Sequence, residues 1–243
     1  MRAQVIFFSL LFTAGMWMSK VAQPLYFEGR GAMIAFGVGY AVMAVVGGFS
    51  FAWGYLADRL GGFNAVRLGA FVYALGLGGR IFTDLVPSVI FSAIAGAGAS
   101  LALVGIRPWI RSRVADEEIP KIVASRSLGN QSGVFVGTLG AALIFALASQ
   151  AEAGQRTALL MAPFLVMLAV AWISFAGRSA RYAVPAKNND VVHDKAATRV
   201  LVVKLAVLGV LSGFYVSLVA PYIPVIFTRA GLTDARGLPL LFL

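Results

Sequence analysis

GAMIAFGVGYAVMAVVGGFSFAWGYLA, residues 31–57, holds 27 positions without a charge and ends on Asp58-Arg59-Leu60-Gly61. About 20 apolar residues suffice for a helix to cross the hydrocarbon of a bilayer. This run alone therefore argues for a membrane span that stops at a charged turn. Four more uncharged runs are long enough: 85–106 with 22 residues, 127–151 with 25, 157–177 with 21 and 205–228 with 24. Two shorter ones, Ala3–Ser19 with 17 residues and Leu68–Gly79 with 12, are also read as spans. The second keeps the basic loops on either side of it on one face of the membrane. The expected fold is all-α, a polytopic membrane helical bundle of about seven transmembrane helices.

Composition agrees with lipid as the solvent. Hydrophobic residues make up 60% of the 243 positions and charged ones 12%, too apolar a balance for a soluble domain to hide. The net charge of +10 reports orientation. With the N-terminus inside, 14 of the 20 basic residues, Arg107 and Arg111 among them, fall in cytoplasmic segments, as the positive-inside rule requires. The expected setting is the plasma (inner) membrane with a cytoplasmic N-terminus. Membrane lipid is the expected surrounding partner, and nucleic acid is not one. Met1-Arg2 followed by an apolar run also admits a cleaved signal with its processing point near Ala22-Gln23, but a retained helix explains the loop charges without processing.

Polar, mixed-charge sequence separates residues 1–177, which hold six helices, from residues 200–243, which open with a seventh. The connecting loop spans residues 178–199. A short internal echo relates Val21-Ala22-Gln23-Pro24-Leu25-Tyr26 to Val219-Ala220-Pro221-Tyr222-Ile223-Pro224, each at the far end of the first helix of its half. The chain closes on an apolar stretch too short to span, so it reads as truncated.

Gly54, Asp58, Arg59 and Gly61 follow the spacing glycine, three residues, Asp-Arg, one residue, glycine, between the second and third spans. This resembles the signature of the major facilitator superfamily. The 6 + 1 arrangement of spans is similar to the first half and opening helix of that family, which implies that residues 1–177 are a six-helix bundle, that residues 200–243 are the start of a second bundle, and that the chain is a fragment with most of that second bundle missing. Gly62, Phe63 and Asn64 stand where the family usually carries basic residues. The resemblance implies secondary active or facilitative transport of a small solute by alternating access between two bundles. It also implies that Asp58 and Arg59 form a conformational switch on the cytoplasmic side, with Arg107 and Arg111 the cations to test against Asp58. Gly54 is expected to pack helix two closely on a neighbour, and Gly61 to permit a tight reversal.

Helix five carries Gly129, Gly133 and Gly137 at four-residue intervals, with Gly140 beside them. Small residues at that period let a second helix approach closely. The spacing is similar to the fifth-helix motif of proton-coupled antiporters, but Thr138 replaces its proline and Ala141-Ala142 its paired glycines. General packing is the preferred reading. Polar residues at membrane depth are the candidates for solute contact. They are Lys20, Gln23 and Tyr26 on helix one, Asn130 and Gln131 on helix five, and Ser212 and Tyr215 on helix seven. Arg80 reads as a residue snorkelling from a helix end.

Other classes fit less well. An intramembrane enzyme needs clustered nucleophiles or acid–base groups within the spans, and no such cluster is present. A seven-helix receptor with a lysine-bound chromophore needs that lysine midway along the last helix, whereas Lys204 opens it. The expectation is a protein that is not an enzyme, without cofactor or metal. His193, the single histidine, lies in the polar loop, and no cysteine is present to hold a thiolate metal site.

Overall fold

The computed structural model describes residues 1–176 and 222–231, and these are all-helical, with no strand among them. Helix α1 covers Arg2–Gly29, α2 Met33–Gly48, α3 Ser50–Leu60, α4 Gly62–Gly78, α5 Leu85–Arg111, α6 Ile119–Leu147, α7 Ala151–Ala176 and α8 Ile223–Arg229. Four of these, α1, α5, α6 and α7, are long and apolar enough to cross a membrane, and the bent pair α2–α3 makes a fifth. Side chains such as Ile34, 80% exposed, and Leu147, 85% exposed, point outward, where only an apolar solvent receives them without cost. Helix α4 has 17 residues, short of the usual crossing length. The expected seventh helix lies almost wholly outside the described residues, which reach it only at α8.

Glycine pairs set the packing. Gly129, Gly133 and Gly137 of α6 lie against the backbone of α1, where an added Cβ would come within 2.5 Å of the Ile6 carbonyl oxygen and 2.6 Å of that of Leu10. At Gly137 the obstacle is the Ala14 carbonyl. Gly140 differs, since its close neighbour is the flexible Met18 side chain. A second seam joins α4 to α5. Gly62, Gly69 and Gly76, seven residues apart, face the backbone of Trp109, Ala102 and Ala95, and Gly98 of α5 returns the contact against Tyr73. Helix α1 is the centre of the bundle, with α6 and α7 along its length and Gly15 pressed to the Ala162 carbonyl of α7.

The second span is bent by 56° between α2 and α3. A break in a helix at membrane depth frees backbone carbonyls that need new donors. Here Trp53 Nε1 donates to the Val46 carbonyl at 2.9 Å, and Ser100 Oγ of α5 donates to that of Gly47 at 2.8 Å. The span ends at Gly61, whose φ of 76° is the left-handed conformation that glycine adopts without strain.

Two expectations change. Gly54 makes no close approach, since a Cβ there would meet only Val104 Cγ1 at 3.8 Å. The tight glycine contacts of this region belong to α4. Helix five begins at Ile119, well before Ser127. Pro120 suits the first turn of a helix, and Asp116, Glu117 and Glu118 immediately before it complement the helix dipole.

Candidate functional site

A half-open cleft of about 230 Å³ runs between α1, α5 and α6, from the end of the bundle that carries Asp58 toward mid-depth. Its apolar walls include Phe8, Phe12 and Trp17. The glycine seam that holds α6 against α1 also positions its polar groups. Gly129 and Gly133 face α1, so Asn130 and Gln131 between them turn toward the cleft edge.

Thr13 Oγ1 of α1 donates to Asn130 Oδ1 at 3.2 Å. That bond takes one of the two lone pairs on the amide oxygen and leaves the N–H donors free among the described residues. Arg126, one turn before Asn130, is the single charged residue lining the cleft among the described residues, and its Nε is buried with no hydrogen-bond partner among them. Arg107 on α5 adds a second positive charge nearby. Among the described residues no carboxylate lines the cleft.

The structure brings together only part of the expected solute set. Asn130 and Gln131 line the cleft. Lys20 does not; its ammonium stands 4.6 Å from the centre of the Trp17 ring and so reaches the cleft only through that wall. Gln23 and Tyr26 are buried farther along α1, 4% and 3% exposed, away from the cleft. Ser212 and Tyr215 lie outside the described residues.

The switch motif is also rearranged. Asp58 is exposed and forms no hydrogen bond or ion pair with Arg107, Arg111 or any other described residue. Arg59 stacks on Tyr55, 4.5 Å from the ring centre. Nearby, Phe63 is flanked by the guanidinium groups of Arg67 and Arg113 and by the Trp109 ring.

Three residues escaped the sequence reading. Arg126 and Thr13 complete the cleft, and Arg80, far from snorkelling, is 5% exposed in the bundle interior. Its guanidinium donates to Ser19 Oγ at 2.8 Å and to Met43 Sδ at 2.9 Å, while its Nε has no partner. Tyr40 and Tyr73 stand close to it. The seven-residue spacing of Gly62, Gly69 and Gly76 was the available signal for its neighbourhood, since that seam fixes α4 and hence the place of Arg80.

At the opposite end of the bundle, ion pairs tie chain segments together. Arg30, just past α1, binds Glu152 of α7, and the hydrogen bond raises the guanidinium pKa further above its ordinary value. Glu28 accepts from Arg229 Nε of α8 at 2.6 Å. Tyr222 meets Phe36 edge to face, 5.5 Å between ring centres.

No protein-family model, no curated protein and no solved structure matches this chain.

Proposed function

We propose that the protein belongs to a secondary carrier of the major facilitator type and that residues 1–177 are its N-terminal bundle. It moves a small solute across the plasma membrane, N-terminus inside, by alternating access. The observation that carries this reading is the cleft. Within a bundle whose outer surface is apolar, α1, α5 and α6 leave a recess in which Thr13, Asn130, Gln131 and Arg126 gather polar groups at membrane depth. Such groups are costly in hydrocarbon and are placed where a solute or water meets them.

The Gly54, Asp58, Arg59, Gly61 turn supports the same reading. It sits at a helix reversal, with Gly61 in the left-handed conformation and Asp58 exposed and unpaired among the described residues, available to a moving partner. In this reading the second bundle, begun at residue 200, faces the cleft and supplies that partner.

Solute uptake by cells producing a carrier in which residues 1–243 are joined to a complete second bundle, set against cells producing equal amounts of its Asn130→Leu variant, tests the proposal. Uptake of one solute class that the substitution abolishes supports it. Uptake unchanged by the substitution across a broad solute screen overturns it.

A further inference from the structure

The cleft has a chemical bias of its own, and we infer that its solute is a small organic anion with a flat apolar body and an oxygen-rich head. This rests on the cleft being the solute site.

The polar inventory is one-sided. Asn130 accepts from Thr13 at its amide oxygen, which uses one of that oxygen's two lone pairs, and it carries two N–H donors beside it. Arg126 carries donors only, one of them a buried Nε with no partner. Trp17 adds an indole, which donates and does not accept. Against these stand the Thr13 hydroxyl, which has given its proton to Asn130 and presents lone pairs, and the Gln131 amide and the Ser9 hydroxyl, which serve either role. A cationic solute would find no carboxylate among the described residues here and would face Arg126 with Arg107 behind it. A neutral solute would leave the Arg126 charge uncompensated in a low-dielectric wall. A carboxylate-type head satisfies the donors and the charge together, and charge-assisted hydrogen bonds are the strong ones.

Size and lining define the rest of the molecule. At about 230 Å³ the cleft lies below the range of roughly 300 Å³ upward that holds drug-sized ligands. The apolar wall offers the part-exposed Trp17 ring, with Phe8 and Phe12 buried behind it against Trp109 and Tyr73, and a ring face favours a flat or aromatic body by edge-to-face and offset contact.

The experiment uses three near-isosteric probes that differ in charge: benzoate, benzamide and benzamidinium. Each is titrated into the purified full chain in phospholipid-free micelles, with Trp17 fluorescence as the readout and Trp17→Phe as the blank. Benzoate is expected to bind about tenfold or more tightly than benzamide, the difference a charged hydrogen-bonded pair confers, and benzamidinium weakest. Arg126→Gln should abolish the preference for benzoate, and Asn130→Asp, which places an acid in the cleft, should turn it toward benzamidinium. The second variant keeps the test decisive if the first does not fold.

Equal binding of the three probes, or a benzoate preference that survives both substitutions, overturns the anion assignment and leaves the cleft as a solute site. A Trp17 signal absent for all three probes overturns the site itself. An anionic lipid head shares the same chemistry, so the titration is repeated with added phosphatidylglycerol. Unchanged benzoate affinity assigns the cleft to a free solute, and competitive loss assigns it to lipid and overturns the solute reading.

Discussion

Thr13 and Asn130 join α1 to α6 through a single side-chain hydrogen bond of 3.2 Å, set among glycine contacts in which neither helix has room to shift. The bond is a small contributor to stability and a large one to chemistry, because it decides which face of the Asn130 amide the cleft sees.

Its energetic share is measurable by a double-mutant cycle. Thr13→Val, Asn130→Leu and the pair together should give a coupling of about 0.6 kcal/mol, the usual size for side-chain hydrogen bonds between membrane helices. Reversible unfolding in mixed micelles is the measurement. A coupling near zero would mean that the two residues do not hold each other.

The glycine seam makes a sharper contrast. Gly137→Ala drives a methyl into the Ala14 backbone, which cannot yield, whereas Gly140→Ala meets the mobile end of Met18. The first should cost about 1–3 kcal/mol, as overpacking does. The second should stay within about 0.5 kcal/mol. Equal losses at the two sites would contradict the α1–α6 register.

Arg80 is held by a hydroxyl and a thioether, with no carboxylate bonded to it among the described residues. Removing a buried, uncompensated cation in favour of an apolar side chain of similar length relieves a desolvation penalty. Arg80→Met should therefore unfold at the same or a higher temperature than the parent. A marked drop would assign the guanidinium an architectural role that its neighbours do not reveal.

Asp58, exposed and unpaired among the described residues, should be dispensable for folding. Asp58→Asn should leave stability within about 0.5 kcal/mol while lowering any transport that depends on a switch at this face. Thermal melts and uptake assays on the same preparations separate the two effects.

Orientation is open to direct labelling because the chain has no cysteine. Asp84 and Ser112 are exposed and flank α5 at its two ends. In intact cells a membrane-impermeant maleimide should modify Asp84→Cys, and should reach Ser112→Cys only after permeabilisation. Labelling of both from outside would contradict the span.

Uncharged runs and residue spacing carried much of the architecture. The 31–57 run locates the second span, Gly61 the reversal, and Gly129, Gly133 and Gly137 the seam with α1. The cleft was less legible, for a physical reason. Counting uncharged residues ends a span at the first guanidinium, so Arg126 fell into a loop and α6 appeared to start after it. A cation can occupy a helix when neighbouring helices leave a recess for it, and that recess depends on how three helices meet. Arg80 is the same case in the interior. Lys20 shows the converse. Its depth along α1 is as expected, but helical phase turns it to the far side of Trp17, and depth without phase does not place a side chain.

The bend between α2 and α3 has its own consequence. Because Trp53 and Ser100 supply donors to the Val46 and Gly47 carbonyls, straightening the span would gain backbone bonds only by giving up both of these. The elbow is thus a fixed corner, and α3, with the Asp58 turn at its tip, would be carried by α5 as one lever in any rocking of the bundle.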